Sequence, residues 1–341
     1  MPTKKKSKKQ ERDEQFAAAL PAILNYHHTM LSDGVRNQLL YKAIKQNVSA
    51  STDFLDIGAG TGIWAVLAAK LGAKRVVAVE IEEALIPMIY KTALENGVAE
   101  RIEIIHGRSD DVRIRGKFDV IVSELFGHSA FGENTVRSFI DIRDRFLAPE
   151  GVLIPQRLKM HAAPIHLKRL GKLVPASLPL KAEFVRTLKL NYASALSFGE
   201  HEDVKFLAQP ELLVDIEFAT VVQPPPLGAL TARWSLKNAG RANAIAVFNQ
   251  SVFADEILLN GFESQSWGSM VYEFVPFEAG PGELNFKMAI SETGGNWSIG
   301  LTGNPDSQMQ NYSPVFAFAR TRMAQQTTPH KRFKEKNQNK T

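Results

Sequence analysis

Residues 53–62 read DFLDIGAGTG: a short run ending in apolar Ile57, then glycines at three alternate positions, Gly58, Gly60 and Gly62. Glycine lets the backbone turn tightly and lets a ligand approach the main chain closely. The next stretch, WAVLAAKLG (64–72), has helical character, so the segment reads as strand, tight turn and helix. The order then repeats. RVVAVE (75–80) is a second strand, 83–95 a helix, RIEIIHG (101–107) a third strand and KFDVIVSE (117–124) a fourth. Apolar residues at helical spacing over 134–147 precede GVLIP (151–155), which closes the series. Strands alternating with helices imply a mostly parallel sheet covered on both faces.

Beyond Pro155 the pattern changes. LLVDIEFATVV, NAIAVFNQSVF, SMVYEFVPF, ELNFKMAISE and NWSIGLTG are β-prone runs separated by Pro- and Gly-rich turns, with no long helix among them. The expected fold is therefore α/β: a Rossmann-like domain followed by an antiparallel β-barrel or sandwich. The expected boundaries are a disordered basic tail over 1–12, helices and a cofactor-binding domain over 13–155, a β-rich substrate domain over 156–323, and a second disordered tail over 324–341.

Charge has to be located before it means anything. The chain carries +5 formally, but Lys4, Lys5, Lys6, Lys8 and Lys9 supply five positive charges and residues 331–340 a further net four, leaving the body near −4. An acidic body between basic ends suits a cationic substrate better than a nucleic acid, and it lacks the basic, aromatic-laced stripe of a nucleic-acid binder. There is no cysteine, which excludes disulfides, thiolate metal sites and thiol nucleophiles. His161 and His166 are too isolated to suggest a metal. No apolar run approaches the roughly 20 residues of a membrane helix, and the basic N-terminus lacks a secretory apolar core. The expectation is a soluble protein of the cytoplasm, or also of the nucleus in a eukaryotic cell, with no membrane partner.

Three acids end the first three strands. Asp56 immediately precedes the glycines and suits a positively charged ligand group. Glu80 can take two ribose hydroxyls through its two oxygens. Asp110, in HGRSDD, can accept from an exocyclic amine such as that of adenine. The spacing G-x-G-x-G is not the pyrophosphate-seating G-x-G-x-x-G. A nucleoside bearing a cationic amino-acid arm fits this set, which describes S-adenosylmethionine, with S-adenosylhomocysteine as the demethylated product. Gly58, Gly60, Gly62 and, beside the acids, Ile81 and Ser109 complete the cofactor set.

A second feature is VSELFGHSAFGENTV (122–136), which carries Glu124 and Glu133 nine positions apart in a Gly-containing loop. Either these are two solvated loop charges, or they converge on one cation. FLDIGAGTG, VVAVE, IIHGRSDD, SELFGHSAFGE and APEGVLIP together resemble the protein arginine N-methyltransferase family, over roughly 26–157 well and more loosely beyond. The resemblance implies that Glu124 and Glu133 are the family's double-glutamate pair. In HHTMLSDGVRN it implies that His27 and Arg36 belong to the cofactor site, with Arg36 on the cofactor carboxylate, and that Met30 lies near the point of methyl transfer. Trp267 stands in Gln265-Ser266-Trp267, where the family usually has Thr-His-Trp. The tyrosine-rich helix that normally precedes the arginine is replaced by FAAALPAILN (16–25), and 180–215 is shorter than the family's dimerisation arm, which leaves a homodimer open.

The function this implies is methyl transfer to the guanidinium of arginine in a protein or peptide. Free arginine or another small guanidino metabolite is the alternative acceptor. An RNA methyltransferase and a scaffold that binds the methyl donor without turnover are the remaining classes.

Overall fold

The computed structural model describes residues 8–125, 135–168, 193–196, 204–226, 228–238, 240–290, 297–302 and 308–312. Two helices come first, α1 (Lys8–Ser32) and α2 (Gly34–Asn47), broken at Asp33, whose side chain caps α2. The first helix begins inside the segment 1–12 that the sequence suggests is a disordered tail. Its opening residues, KKQERDEQ, are mostly straight-chain side chains that lose little rotamer freedom in a helix, so charge alone is a poor guide to disorder there. The expected C-terminal tail, 324–341, and most of 180–215 lie outside the described residues.

The alternating segments form β1 (Asp53–Ile57), α3 (Ile63–Lys70), β2 (Arg75–Glu80), α4 (Ile86–Glu95), β3 (Ile102–His106), β4 (Phe118–Ser123), α5 (Thr135–Phe146) and β5 (Leu147–Ile154). The five strands are all parallel, in the order β3-β2-β1-β4-β5. Both faces of the central strands are covered, which is why FLDI and VVAVE are buried continuously rather than at every second residue. Apart from its last residue, Lys70, α3 is apolar, and its buried alanines, Ala65, Ala68 and Ala69, let it lie close against the sheet. Fully buried Phe54, Phe118 and Phe139 each contribute about 1.5–3 kcal/mol of burial.

The change of character at Pro155 is the change from parallel to antiparallel pairing. β5 ends at Ile154, and β6 (Arg157–Leu167) begins an antiparallel sheet in which it lies beside β11 (Gly240–Ala254). That sheet also holds β7 (Ala193–Leu196), β8 (Val204–Phe206), β9 (Glu211–Glu217), β12 (Ile257–Asn260) and β13 (Ser269–Ala279). A second antiparallel sheet orders β10 (Leu230–Leu236), β14 (Gly282–Ile290), β15 (Trp297–Thr302) and β16 (Gln308–Tyr312). β10 shows the two-residue period expected of a strand with one wet face: Leu230, Ala232, Trp234 and Leu236 are buried and the residues between them are exposed.

The two halves are joined by more than the chain. Arg143 on α5 donates from Nη1 to the carbonyls of Phe218 (3.0 Å) and Val221 (2.6 Å). Phe139 stacks on Phe218 with ring centroids 4.0 Å apart. This seats the β-rich half against the parallel sheet and brings the loop after β12 over the ends of β1 and β4.

Candidate active site

In an open parallel sheet, ligands bind outside the carboxyl ends of the strands, where the strand order reverses. Here the reversal falls between β1 and β4. These strands pair up to Ile57 and Ser123, and the Ser123 hydroxyl donates to the Ile57 carbonyl at 3.1 Å. The next residues on each strand are Gly58 and Glu124. The glycine loop and the first glutamate are therefore side by side although 66 positions separate them in sequence.

The loop is shaped by its neighbours. Gly60 has φ +57°, a conformation that L side chains rarely adopt, and a Cβ there would stand 2.9 Å from His27 Cε1, so the imidazole would have to move. Its amide donates to Glu80 Oε2 at 2.7 Å, while Glu80 Oε1 accepts from the Glu82 amide at 2.8 Å. Glu80 is thus fixed at the end of β2 with one acceptor site left on each oxygen. Asp56 is buried beneath the loop and accepts from the Ala65 amide at 3.0 Å. Burial, opposed by that hydrogen bond and reinforced by the charge of Glu80, pushes the Asp56 carboxyl up to about 7. Burial also lowers the His27 imidazole, against the pull of Glu80.

Over this loop a cleft opens. His27, Met30, Arg36 and Glu124 line it from the helices and β4, and Asp56, Gly58 and Gly60 from beneath. Thr61, Ile63 and Trp64 also line it and were not singled out from the sequence; lying within or directly after the glycine turn is the signal that could have found them. Gly62 sits at the N-terminus of α3 in a left-handed conformation. Of the remaining residues named from the sequence, Gly62, Glu80, Ile81, Ser109, Asp110 and Trp267 do not line this cleft. Ile81 is exposed at the end of β2. The Ser109 carbonyl accepts from Arg145 of α5, and the Asp110 carboxylate pairs with Arg108 at 3.0 Å, both on the loop after β3. Glu133 lies outside the described residues.

Glu124 is held on both oxygens. Arg36 donates from Nη2 to Oε2 in a buried ion pair, and the indole Nε1 of Trp267 donates to Oε1 at 2.8 Å. Burial raises the Glu124 carboxyl above its usual range; the Arg36 charge and the two hydrogen bonds act against that rise. The plain alternative for Arg36, a surface ion pair with Asp33, is not what forms. Arg36 is buried, its guanidinium goes to Glu124, the Met30 carbonyl and Asn37, and Asp33 receives only its backbone amide. Sequence reasoning also missed Ser264, whose hydroxyl donates to Asp33; nothing in the local pattern marks it.

The parallel sheet in this order, with a glycine loop and acids at its carboxyl edge, defines the class I methyltransferase fold. A family model described as ribosomal protein L11 methyltransferase (PrmA) matches residues 37–155. Ribosomal protein arginine N-methyltransferase rmt3 of Schizosaccharomyces pombe is 38% identical over 137 residues, which is 39% of this chain and 25% of that protein. Probable protein arginine N-methyltransferase 6 of Arabidopsis thaliana is 34% identical over 146 residues, 42% of this chain and 33% of that one. The chain thus spans about a quarter to a third of the length of these relatives. Among solved structures, the Trypanosoma brucei PRMT1 enzyme–prozyme heterotetrameric complex with AdoHcy has a TM-score of 0.70 at 21% identity, covering 84% of this chain and 98% of that one. Arabidopsis thaliana protein arginine methyltransferase 10, in an open conformation, has a TM-score of 0.68 at 22% identity, covering 85% and 99%. At such identities the likeness to solved structures is one of fold. Within the methyltransferase class the resemblance to the protein arginine N-methyltransferases is upheld, by sequence over the first domain and by fold over most of the chain.

Proposed function

We propose that the protein is an S-adenosylmethionine-dependent N-methyltransferase acting on the guanidinium of arginine in a protein or peptide. The observation that carries this is Glu124: a buried carboxylate at the switch point of the sheet, held by Arg36 and Trp267 and facing the cleft over the glycine loop.

The residues present fit the methyl donor. Arg36 Nε is buried without a partner among the described residues, so it has a donor left for the cofactor carboxylate. Glu80 keeps an acceptor site on each oxygen for the two ribose hydroxyls. Asp56 supplies negative charge under the cationic end, and Asp110, with Ser109, the polar edge for adenine. Gly58 and Gly60 keep the loop low enough for close approach. When bound, the donor supplies a methyl group on a sulfonium.

A guanidinium cannot be deprotonated beforehand, since its pKa exceeds about 12. Glu124 and, on our reading, Glu133 hold its planar fork and draw positive charge toward one side, leaving the opposite nitrogen with more lone-pair character. As the N–CH₃ bond forms and the S–CH₃ bond breaks, that nitrogen must lose a proton, and Glu124, whose pKa burial raises, is placed to receive it. Met30 packs beside the transfer point. Holding the reactants in line corresponds to an effective concentration of about 10⁵ M or more.

The test is a panel of acceptors with labelled methyl donor: an Arg-rich peptide, free arginine and total RNA. Label on the peptide is expected. Transfer to free arginine alone would move the acceptor to a small guanidino molecule, and transfer only to RNA would overturn the reading.

A further inference from the structure

The loop after β3 turns back on itself over 108–112, where the amides of Asp111 and Val112 both donate to the Arg108 carbonyl at 3.1 Å. The carbonyls of Ser109 and Val112, which flank Asp110 and Asp111, go to a side chain from another element. Arg145, in the last turn of α5, donates from Nη2 to Ser109 and from Nη1 to Val112 at 2.9 Å. Arg145 is itself fixed. Its Nε donates to both oxygens of Asp141, one helical turn earlier, at 3.0 Å, and its guanidinium lies over the Phe146 ring, 4.4 Å from the centroid. Val136, Phe139 and Ile142 bury α5 against the core of the first domain.

We infer that Arg145 is a positioning residue for the purine of the methyl donor. By clamping the two carbonyls that flank Asp110 and Asp111, it fixes the Asp110 carboxylate where it accepts the 6-amino group, and so selects adenine over a 6-oxopurine. This rests on the reading of Asp110 as the acceptor for adenine.

The reason lies in the purine edge. Adenine presents an N–H donor at position 6, whereas a 6-oxopurine presents a carbonyl there and carries its donor on N1. A carboxylate held in one place rejects the 6-oxo compound, because two oxygens then face each other. A carboxylate free to slide takes the N1–H instead, and the distinction is lost. Arg108 donates to the two Asp110 oxygens at 3.0 Å each, which leaves acceptor sites over, since a carboxylate has about four. That pair is exposed and belongs to one loop, so it orients the carboxylate but moves with the loop. Arg145 is what ties the loop to a packed helix. The Arg108 hydrogen bond, with smaller help from the Arg145 charge, holds the Asp110 carboxyl below its ordinary value, so it stays an acceptor near neutrality.

Calorimetric titration of S-adenosylhomocysteine and of its 6-oxo analogue, S-inosylhomocysteine, reads this without any turnover. Wild type should prefer the amino compound by about tenfold or more, the scale of one charge-assisted hydrogen bond. Arg145→Met keeps the length of the side chain and removes every donor. It should weaken S-adenosylhomocysteine by about 3–10-fold and cut the preference to about threefold or less. Asp110→Ala, which removes the acceptor itself, sets the floor of that preference. Equal weakening of both compounds by Arg145→Met would mean that Arg145 only supports the fold, and overturns the inference; so does an unchanged preference. Should Arg145→Met not fold, Arg145→Lys decides: one ammonium cannot reproduce the fork that bridges two carbonyls and Asp141, so the preference must still fall. Wild-type protein that binds neither compound, or binds the two alike, refutes the adenine reading of Asp110 and the inference with it. A wild-type preference that survives in the folded variants refutes the inference alone.

Discussion

Replacing Asp56 by asparagine should make the ligand-free protein more stable at alkaline pH and leave it little changed in acid. Asp56 is buried, and its carboxyl is moved from an ordinary value of 3.8 to about 7 because burial penalises the charged form. The folded state therefore holds this proton to higher pH than the unfolded chain does. Stability from the group is fully present below about pH 4 and is lost as pH rises through about 7. At 1.36 kcal/mol per tenfold, the total loss by pH 8 is about 4 kcal/mol, of which about 3 kcal/mol accrues between pH 5 and pH 8. Asparagine has nearly the same shape, can still accept from the Ala65 amide, and carries no charge to bury. Urea unfolding of wild type and Asp56→Asn at half-unit steps from pH 5 to pH 8, without methyl donor, isolates the effect, because titrating groups that do not interact with Asp56 cancel in the difference. The stability difference should swing toward the variant by about 2–3 kcal/mol across that range. A difference that does not change with pH would refute the argument that Asp56 is buried at a cost. The same variant should bind S-adenosylmethionine more weakly, since the carboxylate's charge is what a cationic arm uses.

Glu124→Gln is expected to abolish transfer to the peptide while leaving cofactor affinity nearly intact, measured by equilibrium binding and by label incorporation; unchanged turnover would reject the guanidinium clamp. The same change leaves Arg36 buried without its counter-charge, so unfolding stability should fall by about 3 kcal/mol or more. Glu80→Ala should weaken cofactor binding by tenfold or more, because it removes the ribose acceptor and frees the Gly60 and Glu82 amides from their partner. Calorimetry showing wild-type affinity would mean the ribose assignment is wrong.

Much of the first domain is written locally. DFLDI, RVVAVE and KFDVIVSE are mostly apolar and almost continuously buried because a central parallel strand is covered on both faces, and the glycines of GAGTG are required by backbone conformation, which is a property of a few consecutive residues. Asp56, Gly58, Gly60 and Glu124 could be named in advance because each stands at a strand end or in the glycine turn, whereas His27, Met30 and Arg36 were named only through the resemblance to a known family; the structure gathers all seven around one cleft. The onset of helix at Lys8 was not legible, because charge density suggested disorder where helix propensity prevails.

What only the tertiary structure decided is how the parts meet. The sequence could offer Arg36 a near neighbour, Asp33, three positions away, but it took the packing of α2 across the sheet to give that guanidinium to Glu124, 88 positions on. Trp267 could be read equally as core of the β-rich domain; its bond to Glu124 exists because the loop after β12 is carried over the carboxyl edge of the parallel sheet. The three bonds between Asp33 and the loop of Ser264 and Ser266 span more than 230 positions and follow no periodicity. Strand and turn signals arise from interactions between neighbours and survive in the linear code. Contacts between buried charges and their donors arise from where two domains are brought together, and no local pattern encodes that.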